Sequence, residues 1–140
     1  MKIKARRKLP ILVKDVMVSP PITVNQDIAI EQAAKIMYDN GIGSLLVVNK
    51  ENKLVGIVTE RDMLYAIASK QVGMPLWNIM TENPLVVKQE EPLMEALKKM
   101  RDIGVRHLPV VDREGKPIGI VSLRDLVEAL FTLISIISFL

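Results

Sequence analysis

Two short stretches carry the residue types that could do chemistry. Thr59-Glu60-Arg61-Asp62 and Ser122-Leu123-Arg124-Asp125 share the order hydroxyl, any residue, Arg, Asp. Each follows an apolar run, so each is expected where a strand ends and a helix begins. The first N–H groups of a helix lack partners, and its dipole presents a positive end, so such a junction suits an anion. A carboxylate has two acceptor oxygens and can receive both hydroxyls of a vicinal diol such as a ribose. Arg61 and Arg124 could pair a phosphate. The same S/T-x-x-D spacing also serves as a capping box, in which hydroxyl and carboxylate satisfy the helix's own N–H groups. One occurrence alone would not decide between the two.

Other chemistries lack their residues. The chain has 140 residues, one histidine and no cysteine, so a zinc-type ligand cluster is absent. Gly41-Ile42-Gly43 has no third glycine at dinucleotide-binding spacing, and no phosphate-binding glycine loop occurs. No serine has an evident base, and a lone His107 at a strand start is more readily structural or a polar contact. The chain reads as a binding module and not as an enzyme. Charge adds a second candidate. The formal net charge is +3, yet six of the nineteen basic residues lie in the first fourteen positions (Lys2, Lys4, Arg6, Arg7, Lys8, Lys14), where no acid occurs. The remainder is mildly acidic, so the basic balance belongs to an arm over residues 1–10. Nucleic-acid association through that arm, with the rest as scaffold, is the alternative function. It is disfavoured, because one Trp and two Tyr give no stacking platform.

The absence of cysteine suits a reducing cytoplasm, and the basic start is not followed by the apolar stretch of a secretory signal. Residues 126–140 are very apolar but carry Glu128 and fall short of the ~20 residues that span a bilayer. No transmembrane segment is expected. This stretch is expected to be a helix buried in the core or against a second chain.

The elements that must position the two tetrads repeat. LVGIVTERDML at 54–64 returns as PIGIVSLRDLV at 117–127, an offset of 63 residues. The offset also relates Met17 to Met80, Pro21 to Pro84, Val24 to Val87, Met37 to Met100 and Gly41 to Gly104, without a gap. Each copy predicts a short leading helix (11–17 and 76–80) and a β run (22–24 and 85–87). An amphipathic helix then ends at Gly41 or Gly104, a residue that tolerates the left-handed conformation. A hairpin follows (45–58 and 108–121), and then a closing helix, in the first copy over about 60–70 with Leu64, Ile67 and Ala68 inward. The hairpin strands are apolar at nearly every position, so both faces must be covered and the copies must pack on each other. A repeat of roughly 60 residues alone would be marginal, and function is expected where the copies meet.

The ordered set of motifs resembles a tandem pair of CBS domains, a Bateman module. It comprises VKDVM and LWNIM, Pro-x-x-Val at 21–24 and 84–87, SLLVVN and HLPVVD, and GIVTERD and GIVSLRD. The resemblance implies an α+β fold of two pseudo-symmetric β-α-β-β-α repeats packed sheet to sheet, with boundaries near 11–70 and 75–135. It also implies a regulatory, energy-sensing module whose clefts bind AMP, ADP, ATP or S-adenosylmethionine. Carried over, one cleft would hold Ile57, Thr59 and Asp62 with Met80, Leu85, Val105 and Arg106. The other would hold Ile120, Ser122 and Asp125 with Met17, Ile22, Ile42 and Gly43. Arg61, Arg124, Ser44 and His107 are weaker candidates. Arg106 and His107 stand where the first copy has Gly43 and Ser44, so the Asp62 cleft is expected to be richer in cationic donors and to bind nucleotide more tightly. The family further implies a homodimer and an effector protein outside this chain.

Overall fold

The computed structural model describes residues 12–140; the basic arm expected over 1–10 lies outside them. In chain order the elements are β1 (Thr23–Asn25), α1 (Ile30–Asn40), β2 (Ser44–Val48), β3 (Leu54–Thr59), α2 (Glu60–Ala68), β4 (Thr81–Glu82), α3 (Leu93–Ile103), β5 (His107–Val111), β6 (Pro117–Ser122) and α4 (Leu123–Ser138). Single 3-10 turns, Val13–Asp15 and Leu76–Asn78, stand where the leading helices are expected. The fold is α+β. One sheet has the order β1-β2-β3-β4, and the other pairs β5 with β6.

The two hairpins match register for register. Ser44 lies opposite Thr59 and Leu46 opposite Ile57. His107 lies opposite Ser122 and Pro109 opposite Ile120. Both hairpins shift register one residue before the turn, between Val47 and Val48 and between Val110 and Val111. α1 and α3 end at Gly41 (φ 62°) and Gly104 (φ 76°), both left-handed. β2 is buried along its whole length, as an apolar strand covered on both faces must be.

The leading segments are exchanged between the copies. Val13 is fully buried in the core of the second copy, with Val87, Ala96, Met100, Leu108 and Leu126. Leu76 is fully buried in the core of the first, with Ile30, Met37, Leu45 and Val58. Backbone bonds fix the exchange. The Val13 N–H donates to Glu91 O at 2.9 Å, and Val18 and Ile120 exchange bonds of 2.9 and 3.0 Å. The Leu76 N–H donates to Ile28 O at 2.8 Å, and β4 extends the first sheet along β3. Each exchanged segment brings a methionine onto a strand glycine. A β-carbon added at Gly56 would lie 2.6 Å from Met80 Sδ, and one at Gly119 would lie 2.7 Å from Met17 Sδ. Only glycine lets these thioethers lie flat on the strand.

Three expectations are corrected, and β4 has no counterpart in the reading of the sequence. The β run at 85–87 is reduced to one bridge, Val87 with Val110. α2 does not turn Leu64, Ile67 and Ala68 inward. Ala66 is its buried residue, Met63 packs beside it, and Leu64 and Ile67 are two-thirds exposed. α2 packs against β3 and α1, and the face it turns to them carries Ala66 and Met63, which leaves Leu64 and Ile67 on the opposite sides. The apolar C-terminal helix is not buried within the chain either. Leu126 is buried, but Val127, Leu130, Phe131, Ile134 and Ile137 are exposed, because only one stripe of α4 meets the core.

Candidate functional site

The two tetrads fold as strand-to-helix junctions. Ser122 is the N-cap of α4. Its N–H and hydroxyl both donate to Asp125 Oδ2 at 2.8 Å, and the Asp125 N–H donates back to Ser122 Oγ at 3.2 Å. Thr59 is the N-cap of α2 and makes the carboxylate half of this arrangement, without the return bond to its hydroxyl. Its N–H donates to Asp62 Oδ2 at 2.8 Å and its hydroxyl at 3.3 Å. The capping role is therefore real at both sites. It uses one carboxylate oxygen in each case, and no residue among those described hydrogen-bonds the other. Burial raises the Asp62 carboxyl above its ordinary range, against the lowering effect of the Thr59 bonds and of Arg61.

A cleft of about 1010 Å³ opens between the copies. The second copy contributes Arg106, His107, Ile120, Ser122, Arg124 and Asp125. The first contributes Ile22, Ile42, Gly43, Ser44, Leu46 and Glu60, together with Val18, Pro20 and Pro21 of the exchanged leader. Its wall is part apolar and part charged, as a site for a base and a sugar needs to be. At the seam, a β-carbon on Gly43 would lie 3.2 Å from Glu60 Oε1 and 3.4 Å from His107 Cε1. This glycine keeps the two side chains close across the copy boundary. Burial lowers the pKa of His107, with Arg106 acting in the same direction, and the nearby acids Glu60 and Asp125 oppose the shift.

Of the residues assigned to the Asp125 cleft, Ile22, Ile42, Gly43, Ile120, Ser122 and Asp125 come together there. Met17 does not line it, being packed on Gly119 and the second core. Arg106, assigned by sequence to the Asp62 cleft, lines the Asp125 cleft with His107, Ser44 and Arg124. The cause is hairpin pairing. His107 faces Ser122, and the Leu123 N–H donates to Arg106 O at 2.8 Å, which stitches residues 106–107 to the α4 junction. The ranking of the Asp62 cleft as the more cationic and tighter site loses its basis. Ile57, Thr59, Arg61, Asp62, Met80, Leu85 and Val105 do not line the large cleft. Ile57 is buried, Met80 packs with the first core, Val105 with the second, and Leu85 is exposed. Arg124 pairs with Glu128 at 3.4 Å, both well exposed. The sequence reading missed Glu60 and Glu128 on the cleft wall. Glu60 stood inside the first tetrad, and its place one residue after the N-cap was the available signal. Among the described residues no group of His, Asp and Glu could hold a metal ion.

Two repeats that exchange leaders and enclose a cleft walled by both define a tandem-repeat module. The chain belongs to the CBS domain family, whose model matches residues 13–69 and 76–132. It is 39% identical over 107 residues to an uncharacterised 17.7 kDa protein of Acidianus ambivalens, covering 76% of this chain and 65% of that one. It is 38% identical to the L-aspartate semialdehyde sulfurtransferase of Methanocaldococcus jannaschii, covering 85% of this chain but 23% of that protein. The chain thus spans under two thirds of the length of these relatives. Among solved structures it resembles a CBS domain pair in complex with 5′-methylthioadenosine and S-adenosyl-L-methionine. The TM-score is 0.82 at 37% identity, covering 88% of this chain and 98% of that one. A CBS domain protein from Pyrobaculum aerophilum complexed with AMP gives 0.81 at 27% identity, covering 89% and 99%. No helix among the described residues is long and apolar enough to cross a membrane.

Proposed function

We propose that this chain is a regulatory module without catalysis of its own. It binds an adenosine-containing ligand (AMP, ADP, ATP or S-adenosylmethionine) in the cleft at Asp125. The observation that carries the reading is the junction at Ser122–Asp125, where one carboxylate oxygen caps the helix and the other is left to accept from a ribose in a cleft walled by both copies. The apolar wall of Val18, Ile22, Ile42, Leu46 and Ile120 takes the base. The ligands of the similar solved structures, AMP and the methylthioadenosine and S-adenosylmethionine pair, support this ligand class. Ligand touching both copies biases their relative arrangement, and an effector protein reads the bias. The exposed apolar stripe of α4, with Leu64 and Ile67 of α2, is the surface through which two such modules pair as a homodimer in the cytoplasm.

A thermal-shift panel of AMP, ADP, ATP and S-adenosylmethionine tests the binding. A ligand at a hundredfold its dissociation constant adds about 2.7 kcal/mol to the folded state, a clear upward shift in melting temperature. No shift with any of the four at millimolar concentration overturns the reading.

A further inference from the structure

We infer that Glu60 sets the charge of the ligand that the Asp125 cleft accepts, admitting adenosine compounds with a cationic or uncharged 5′ substituent ahead of nucleoside phosphates. This rests on the adenosine reading of the cleft. If the ribose sits on Asp125 and the base on the apolar wall, the 5′ end is left to the charged wall at the seam. That wall consists of Glu60 from the first copy with Arg106 and His107 from the second. Arg124 and Glu128 also line the cleft but pair with each other at 3.4 Å, so together they add no net charge, and Asp125 is assigned to the sugar. A single guanidinium, that of Arg106, remains against the Glu60 carboxylate. Glu60 lies at the seam, its Oε1 3.2 Å from where a Gly43 β-carbon would be, and it forms no salt bridge among the described residues. Burial of His107 disfavours its charged form, so the imidazole adds little positive charge at neutral pH. A phosphate carrying two charges would sit beside an acid with one cation to offset it, whereas a sulfonium or ammonium would gain the acid as a partner. The other copy shows what the position can be instead. The residue 63 positions on from Glu60 is Leu123, so an acid at this helix start is not a demand of the repeat.

His107 is the only histidine in the chain and lies on this cleft's wall, so its imidazole Hε1 resonance reports occupancy of this cleft specifically. The full chain is titrated at constant ionic strength with S-adenosylmethionine, 5′-methylthioadenosine and AMP, which differ in charge at the 5′ end. The wild type is expected to bind the first two more tightly than AMP. Glu60→Gln is expected to tighten AMP about tenfold and to weaken S-adenosylmethionine severalfold. The uncharged compound should stay within about twofold. Glu60 is exposed, so the variant should fold, and an unchanged melting temperature checks this. An AMP to S-adenosylmethionine ratio equal in wild type and variant overturns the role of Glu60 while leaving the adenosine site standing. A wild type that prefers AMP also overturns it. A resonance that moves with none of the three overturns the adenosine reading of this cleft and the selectivity with it.

Discussion

Asp125 and Asp62 each give one oxygen to their own helix, and this separates two consequences of mutating them. Asn keeps an acceptor for the N-cap N–H but loses the charge. Asp125→Asn is therefore expected to lower ligand affinity at least about tenfold, with a stability change under about 1 kcal/mol. Calorimetry and melting of the same sample check both parts. Because Arg106 and His107 stand on the Asp125 side, Asp62→Asn is expected to cost less affinity; a larger loss there would return the principal site to the Asp62 side. His107 supplies a pH dependence. Its folded pKa lies below the ordinary 6.5, so the unfolded chain binds the proton more readily. The stability this contributes is complete above about 6.5 and is lost as pH falls through the folded value. Melting from pH 7.5 to 5 should show the fall, and His107→Gln should flatten it. Removing the acid in Glu60→Gln is expected to lower the His107 pKa further, since that carboxylate raises it.

At the scale of elements, the exchanged leaders carry the sharpest expectations. Leu76 is fully buried in the core of the copy that precedes it, so Leu76→Ala is expected to cost about 2–5 kcal/mol, measured by denaturant unfolding. Gly119→Ala drives a methyl group into Met17 Sδ and to 3.1 Å from Val18 O. It is expected to cost about 1–3 kcal/mol and to pull the leader off the cleft edge. Much of this architecture is legible in the sequence, because hydrophobic period and repeat offset act locally. Spacing alone gives Ile30, Ala33, Ala34 and Met37 as the inward face of α1 and Leu93, Ala96, Leu97 and Met100 as that of α3, and it gives both hairpins; of these eight residues Leu97 is exposed, at the margin of its stripe. The exchange is not legible this way. Val13 and Leu76 look alike as apolar residues, and nothing in the period says which core receives which. The outward turn of Leu64 and Ile67 escapes for a related reason. A short helix with apolar residues on two sides has no unique inner face until its neighbours have filled one. The tetrads were legible through their repetition, while the side on which Arg106 falls depends on strand register, which a list of residues does not contain.

For the whole molecule, the exposed apolar stripe of α4 demands cover. Phe131 is 72% exposed and Ile134 54%, and a stripe of this kind usually marks an interaction surface. Leu130→Glu with Ile134→Glu is expected to turn a dimer into a monomer in light scattering at micromolar concentration, with the monomer fold kept. A wild type that is already monomeric removes the pairing. Val127 belongs both to this stripe and to the cleft wall, so occupancy and pairing are expected to influence each other. The leader exchange has a further outcome. Cut between residues 70 and 75, neither fragment retains the plug for its own interior, since Val13 fits only the later half and Leu76 only the earlier. Each alone should be an open, sticky shell, yet the two mixed should snap into a native-like heterodimer, a split protein whose reassembly an adenosyl compound could drive.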